Sequence, residues 1–292
     1  MEVIVEIGTL KNQEQIREEL IQFSTVVSHP NNLVNISKVI VPINFDAKVN
    51  ELQGTLDYKS NRGIVALARN VNLGENDAIV LSPLLYTSDY CDEQVRLYLF
   101  LHEMAHTLNR KVFPRLSSNS GSEGIYIENL YTLFDEYVAD RFALTLFYNE
   151  IPTKTTRWNK FISDFALGFS SLINNPKYYK KIKNEIESFR QHGDSGLFLK
   201  KIHEDFHSVA ISIGHTFAIS DHDSQILSST TLMHSHFVNE KTIALMNFFK
   251  VKYHEQVYEI NDGFDLIVEF MTNFGMKFTN IPEGTWCQVL DI

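Results

Sequence analysis

The chain has 292 residues, of which 44% are hydrophobic and 21% charged, a composition typical of a packed globular protein and unlike a disordered or collagen-like chain. Its 26 basic and 36 acidic residues leave a formal net charge of -10, which argues against a protein whose whole surface binds nucleic acid or anionic lipid, while a local basic patch stays open. This length is sufficient for one large domain or two modest ones.

Residues 1–90 alternate short apolar runs with turn residues, a pattern that predicts a small sheet and one helix. Strands are predicted over residues 3–7, 38–43, 63–69 and 78–81, and a helix over 12–23. The first six residues lack the positive charge and cleavage site of a signal peptide, and no apolar window reaches the roughly 18 residues of a membrane helix. We therefore expect a soluble, cytoplasmic protein without a membrane partner.

Two long helices are predicted in the middle of the chain. Over residues 92–109, apolar residues follow a 3.6-residue period, acidic residues occupy the first turn, and a proline follows the end. A second helix is predicted over residues 128–148, and Pro152 ends it. The Ser- and Gly-rich segment 116–124 between them predicts a mobile loop, which we expect to act as a lid that selects the substrate.

Beyond residue 150 the pattern becomes mostly helical. Helices are predicted over residues 158–173, 178–189, 197–217 and 241–250. Near the end, two apolar runs flank Asn261-Asp262-Gly263, which predicts a β-hairpin over residues 256–270. The change of composition predicts two domains, over residues 1–150 and 151–292.

The first long helix carries His102-Glu103-Met104-Ala105-His106, which fits the His-Glu-x-x-His zinc signature. Residues four apart lie on the same face of a helix, so both imidazoles can bind one metal ion. Glu103 lies about 100° around the helix and can approach a metal-bound water without ligating, which is the position of a general base. A catalytic zinc needs three protein ligands and one open position, so a third ligand is required.

The second long helix supplies the predicted third ligand. Glu136 and Asp140 are four residues apart and therefore share a helix face. Glu136 is predicted to donate a carboxylate to zinc, and Asp140 to accept the free ring N–H of a ligating histidine. Two antiparallel helices joined by a loop would bring these carboxylates opposite the two histidines.

With these residues the chain resembles the gluzincin metallopeptidases, in which His-Glu-x-x-His on one helix is completed by Glu-x-x-Ala-Asp on the next. The segment from Asp135 to Ala143 is similar to HtpX-type and prenyl-protein endopeptidases and to the soluble ImmA/IrrE-type regulatory peptidases. The expected absence of membrane spans favours the soluble type. The resemblance implies cleavage of a specific regulator, such as a DNA-binding repressor.

A second match to the signature, His203-Glu204-Asp205-Phe206-His207, lies in another predicted helix. No Glu-x-x-Ala-Asp follows it, and His215 does not stand at the spacing of a metzincin third histidine. We therefore expect no independent zinc centre there, although a histidine of this helix is a candidate for stabilising the oxyanion at the first site. Cys91 is interpreted either as a thiol that blocks zinc reversibly or, more commonly for a free cysteine, as a small core residue.

The sequence thus predicts an α+β fold, in which a small mixed sheet packs with the two zinc-bearing helices and a mostly helical domain follows. The predicted function is a zinc-dependent endopeptidase: His102, His106 and Glu136 bind Zn²⁺, Glu103 acts as general base, and Asp140 orients a ligand.

The expected partner is a protein or peptide substrate, and an extended substrate is predicted to pair with the strand over residues 78–81. Two other functions stay open at this point. One is a non-proteolytic zinc protein that binds or senses a partner, which a closed fourth coordination position would favour. The other is a toxin protease.

Overall fold

A computed structural model describes most of the chain: residues 1–26, 36–56, 58, 66–89, 91–113, 121–174, 195–222, 238–282 and 284–290, with scattered positions between 180 and 191. The side chains of residues 10, 169–174, 195–208, 284 and 289 lie outside this description. The described residues form an α+β structure with a mixed four-stranded sheet, a two-stranded sheet and long helices, which confirms the predicted fold class.

Two compact units make up the structure. The first comprises Met1–Val112 and Ala139–Ser163, and the second comprises Phe113–Val138 and Asp164–Ile292. Both units are discontinuous in sequence, and one long helix, α5 (Ser122–Glu150), supplies residues to each of them. The division into two domains at residue 150 stays a prediction.

The first unit contains a four-stranded sheet in the order β1-β2-β4-β3, formed by β1 (Glu2–Val5), β2 (Ile36–Val41), β3 (Ala68–Asn72) and β4 (Asp77–Leu81). Strands β1, β2 and β4 are parallel, whereas β3 pairs with β4 in antiparallel register. Since β4 has a hydrogen-bonded neighbour on each side, the prediction that residues 78–81 pair with a substrate is wrong. Among the described strands, β3 is the edge on this side of the sheet.

The helices of the first unit are α1 (Leu10–Val26), α2 (Phe45–Gln53), the short α3 (Leu84–Thr87), α4 (Glu93–Val112) and the first part of α6 (Thr156–Asn174). Helix α4 begins where Asp92 Oδ1 accepts a hydrogen bond from the Val95 backbone N–H at 3.1 Å, a cap that satisfies a donor of the first turn. Val95, Phe100 and Leu101 of α4 are fully buried, and the helix packs against β3 and β4. This packing brings the zinc signature next to the edge strand.

The second unit is mostly helical, as predicted for the later part of the chain. It contains the start of α5, α7 (Ser195–His222), α8 (Glu240–Glu255) and α9 (Phe264–Asn273), with a hairpin of β5 (Met276–Ile281) and β6 (Gly284–Val289). Its core is aromatic: the Phe249 ring centroid lies 5.2 Å from that of Phe134 and 6.0 Å from that of Tyr137. Aromatic pairs of this kind contribute roughly 0.5–1.5 kcal/mol beyond their buried area. These contacts fix α5 on both sides of Glu136.

The structure confirms the helices predicted over residues 12–23, 92–109, 128–148, 158–173, 197–217 and 241–250 as α1 and α4 to α8. The helix predicted over 178–189 lies largely outside the described residues, as does the start of the strand predicted over 63–69. No helix in the described part of the chain is long and apolar enough to cross a membrane.

The hairpin predicted around Asn261-Asp262-Gly263 is wrong. These residues form one 3-10 turn that leads directly into α9, and the hairpin lies further on, between β5 and β6. Gly263 has a φ of -83°, so it does not adopt the positive φ that a type I′ turn requires. The Phe248 ring lies close to this glycine: a Cβ atom would be 2.6 Å from the ring, so a larger residue would require the ring to move.

The loop predicted over residues 116–124 is shorter in the structure. Helix α5 begins at Ser122, so residues 122–124 are helical, whereas residues 116–120 lie outside the described part of the chain. The Ser122 backbone N–H donates to Asn280 Oδ1 at 2.8 Å, and this bond satisfies one of the donors that a helix start leaves free.

Candidate metal centre

Helix α4 brings the two histidines of the zinc signature together. His102 and His106 are one helical turn apart, and their Nε2 atoms lie 3.2 Å from each other. Both side chains belong to buried residues, each 8% exposed. Two neutral imidazoles whose Nε2 lone pairs converge in this way offer a pair of nitrogen ligands for one cation.

Glu136 on α5 completes the group. One ligand atom from each of His102, His106 and Glu136 lies within 4.8 Å of the others, so the three side chains are close enough to hold a metal ion. Ligand atoms that surround one tetrahedral zinc at about 2.0–2.2 Å would lie roughly 3.5 Å apart, which requires only a small closure of the group. Two imidazole nitrogens and one carboxylate form a donor set that suits zinc and leaves a fourth position.

Asp140 lies one turn beyond Glu136 on α5, and its side chain is fully buried. The Asp140 Oδ1 atom lies 2.7 Å from His102 Nδ1. Because a carboxylate can only accept, this contact assigns the proton to Nδ1 and leaves the Nε2 lone pair of His102 for a metal. The same oxygen also accepts a hydrogen bond from the Tyr98 hydroxyl at 2.7 Å.

Glu103, the predicted general base, is buried beside the edge strand β3. The Asn70 backbone N–H donates to Glu103 Oε2 at 2.6 Å. The Asn70 side-chain amide also donates to the Glu103 carbonyl oxygen at 2.8 Å and to Thr107 Oγ1 at 2.7 Å. The Glu103 carboxylate does not belong to the ligand group, so it is oriented by the strand and not by a metal contact.

A charged pair supports Asn70 from the other side. Arg110 donates to Asn70 Oδ1, and its guanidinium lies 2.6 Å from Asp77 Oδ2. Sequence reasoning missed Asn70 and Arg110, because neither belongs to the signature. Nothing in the sequence selects Asn70, which follows the strand predicted over residues 63–69 and whose burial is known only from the structure.

His215 on α7 lies beside the proposed carboxylate ligand, and its spacing alone would not have selected it. Its Nε2 atom is 3.8 Å from Glu136 Oε2, and the two side chains are only 9% and 16% exposed. The His215 ring also packs near Phe165, with centroids 5.9 Å apart. The distance exceeds that of a hydrogen bond, so these two atoms are close neighbours that are not hydrogen-bonded to each other.

The other sequence candidates do not join the group within the described residues. His203 and His207 lie on α7, but their side chains are outside the description. Cys91 is 7% exposed and packs in the first unit just before α4. Burial raises the pKa of the Cys91 thiol, which favours the neutral thiol over a zinc-binding thiolate.

Comparisons of the chain with protein-family models, with curated protein sequences and with solved structures find no match.

Proposed function

We propose that the protein is a zinc-dependent endopeptidase of the gluzincin type. The observation that carries the proposal is the convergence of His102, His106 and Glu136 within 4.8 Å, and Glu103, next to His102 in the sequence, is held by the Asn70 backbone N–H. In this proposal the three side chains hold Zn²⁺ and Asp140 keeps the His102 ring in place. A zinc ion bound there would polarise the scissile carbonyl and acidify the attacking water.

Glu103 has the role of general base. Its Oε2 atom is engaged by the Asn70 N–H, so Oε1 is the oxygen that takes a proton from the attacking water. The water oxygen bonds to the carbonyl carbon, the C–N bond breaks, and the proton passes from Glu103 to the departing amine nitrogen. A buried carboxylate with a fixed orientation performs both transfers without reorganisation of solvent.

The substrate proposed is an extended segment of a protein, docked along β3. This strand is paired on one side only among the described residues, and it carries the backbone N–H that holds Glu103. A peptide added at this edge would lie next to α4, because α4 packs against β3. The sequence resemblance to ImmA/IrrE-type peptidases adds a specific regulator, such as a repressor, as the proposed substrate class.

The test compares wild-type protein with Glu103→Gln. Metal analysis should find about one zinc per chain in both, since Glu103 does not ligate. New protein N-termini are then mapped by mass spectrometry in a cell lysate incubated with each protein. Loss of a general base lowers such a reaction by about 10²–10⁴-fold, so specific N-termini should appear only with the wild type. Equal cleavage by both proteins would refute the mechanism.

One observation favours a second candidate, a non-proteolytic zinc protein. The 3.8 Å between His215 and Glu136 leaves a third imidazole near the metal ligands, and a third histidine ligand would close the fourth coordination position. X-ray absorption spectroscopy of the zinc-loaded protein distinguishes the two functions. The outer-shell scattering from imidazole rings gives the number of histidines bound to zinc. Two histidines support the peptidase, and three support the closed site.

A further inference from the structure

Tyr98 lies on α4 one turn before His102, and both side chains meet the same oxygen of Asp140. The Tyr98 hydroxyl and the His102 Nδ1 atom each lie 2.7 Å from Asp140 Oδ1. Tyr98 is not part of the zinc signature or of the Glu-x-x-Ala-Asp segment, and neither a ligand nor a general base is required at this position. Its contact to Asp140 therefore needs its own explanation.

Tyr98 and Asp140 are shielded from solvent. Tyr98 and Asp140 are both 0% exposed. A buried carboxylate that loses a hydrogen-bond donor is left with an unsatisfied acceptor, so the phenol O–H is a strong constraint on the orientation of Asp140. A hydrogen bond to a charged acceptor in such a site is also shorter and stronger than one between neutral groups.

The phenol ring itself has little freedom. The ring centroid of Trp158 lies 5.4 Å from that of Tyr98 in an edge-on arrangement, and that of Phe161 lies at 6.1 Å in a similar one. Both contacts come from α6, and Trp158 is fully buried. The aromatic packing fixes the ring, the ring fixes the hydroxyl, and the hydroxyl fixes the carboxylate that contacts His102.

Two effects of the hydroxyl oppose each other. The Tyr98 hydroxyl takes up part of the negative charge of Asp140, which weakens the hydrogen bond that His102 donates to this carboxylate. The hydroxyl also orients Asp140, which aligns the same hydrogen bond. Orientation outweighs charge sharing here, because both bonds end on the same oxygen, so the fixed position of the hydroxyl determines where that oxygen meets the His102 ring. The net effect of Tyr98 is thus to strengthen metal binding.

We propose that Tyr98 is a positioning residue of the metal centre, which acts through Asp140 to hold the His102 ring and so raises the affinity of the site for zinc. The inference deepens the proposed function and rests on the same metal site.

The experiment measures the zinc affinity of the purified full chain by competition with a chromophoric chelator. Tyr98→Phe should weaken zinc binding by about tenfold, the lower end of the range for partners of metal ligands, since Tyr98 is one bond further away. Tyr131→Phe is the matched control: Tyr131 is also buried, at 4% exposure, and its oxygen accepts from the Ile260 N–H. This control should change the zinc affinity by less than about twofold.

Two further variants separate positioning from a general loss of structure. In an Asp140→Ala background, Tyr98→Phe should cause no additional loss of zinc affinity, because its route to His102 is already cut. Tyr98→4-aminophenylalanine fills the same space and restores a donor, so its zinc affinity should return to within about threefold of the wild type. This variant also serves where Tyr98→Phe does not fold, since failure to restore affinity in a folded protein overturns the proposal.

The outcomes are distinct from those of the proposed function. Equal zinc affinity of wild type and Tyr98→Phe overturns the role of Tyr98 and leaves the metal centre standing. A further loss in the Asp140→Ala background also overturns it, because Tyr98 would then act by another route. A wild-type protein that binds no zinc overturns both proposals together.

Discussion

Asn70 and Glu103 are joined at two points: the Asn70 backbone N–H donates to Glu103 Oε2 at 2.6 Å, and its side-chain amide donates to the Glu103 carbonyl oxygen at 2.8 Å. The first bond orients the proposed general base, and the second attaches α4 to the edge strand at the same residue. Hydrogen bonds therefore connect β3, the strand proposed to bind the substrate, directly to Glu103, the residue proposed to activate water.

We predict that Asn70→Ala lowers the rate of substrate cleavage by about tenfold, because the helix loses its side-chain attachment to β3 and the carboxylate shifts from its productive position. Zinc content should be unchanged, since Asn70 bonds to Glu103 and Thr107, which are not proposed as ligands. Asn72→Ala is the control on the same strand, where Asn72 is exposed and its side chain accepts from the Gly74 backbone N–H at 2.7 Å. Rates are compared on the same cleaved protein. A tenfold loss of rate in both variants would point to a general effect on the strand.

The next prediction concerns which histidines bind zinc. The double change His102→Ala with His106→Ala should abolish zinc binding, since two of the three ligands are lost. The double change His203→Ala with His207→Ala should leave one zinc per chain. Metal content after dialysis measures both.

Zinc should also stabilise the folded protein. A ligand that binds only the folded state at about 1,000 times its Kd adds about 4.1 kcal/mol, so removal of zinc with a chelator should lower the melting temperature. The variant without His102 and His106 imidazoles should melt at one temperature with and without zinc. Zinc retained by that variant would move the metal centre to another part of the chain.

The helix that carries the signature could be predicted because its information is local. The spacing of His102 and His106 determines that they share a face, and the apolar period around them determines that the segment is helical. The contact between the histidines and Glu136 depends on tertiary structure. The sequence still indicates it, because Glu136 and Asp140 have the same four-residue spacing on the next helix.

Asn70 and Tyr98 illustrate what local patterns leave out. Asn70 and Glu103 are 33 residues apart in the sequence, and the residues around Asn70 give no indication of a polar contact. Tyr98 fits the apolar period of α4, so the sequence predicts a core residue there. Its hydrogen bond to Asp140, 42 positions away, is a tertiary contact that this period does not predict. Side-chain hydrogen bonds of this kind depend on which faces the fold brings together, which the hydrophobic period does not specify.

Gly263 shows the opposite error, in which a local pattern was read too literally. Asn-Asp-Gly between apolar runs is typical of a hairpin turn, but the following run also has buried residues at helical spacing, namely Ile267, Phe270 and Met271. Packing decides between the strand and helix periods, and here the Phe248 ring occupies the space next to Gly263 at the start of the helix.

A third prediction concerns the cysteines. Burial raises the pKa of the Cys91 thiol and raises that of Cys287 to about 11, so both remain protonated at pH 7.5. Because the thiolate is the reactive form, iodoacetamide should modify the native protein slowly at this pH and faster as the pH approaches 11. Protein unfolded in denaturant is the control and should react rapidly at both cysteines.

The same shifts have a consequence for stability. A thiol with a raised pKa in the folded state stabilises the fold fully below its unfolded pKa, and this contribution is lost as the pH rises through the folded value.

Cys91→Ser should leave the zinc affinity unchanged if the thiol is a core group. A large gain in activity or zinc affinity in Cys91→Ser would instead support a thiol that blocks the metal.

The last prediction uses His215 to separate the two proposed functions. His215 Nε2 lies 3.8 Å from Glu136 Oε2 in a site of low exposure, so a proton on this nitrogen can point toward a carbonyl oxygen bound near Glu136. If the protein is a peptidase, His215→Ala should lower cleavage by about 10²–10³-fold, as for loss of an oxyanion donor, with the zinc affinity nearly unchanged. His222→Ala, on the same helix, should leave cleavage unchanged. If zinc instead occupies a closed structural site, His215→Ala should weaken zinc binding by a large factor, because a fourth ligand is then lost. A variant that retains full cleavage and full zinc affinity would exclude His215 from both functions and leave its contact with Glu136 a matter of packing alone.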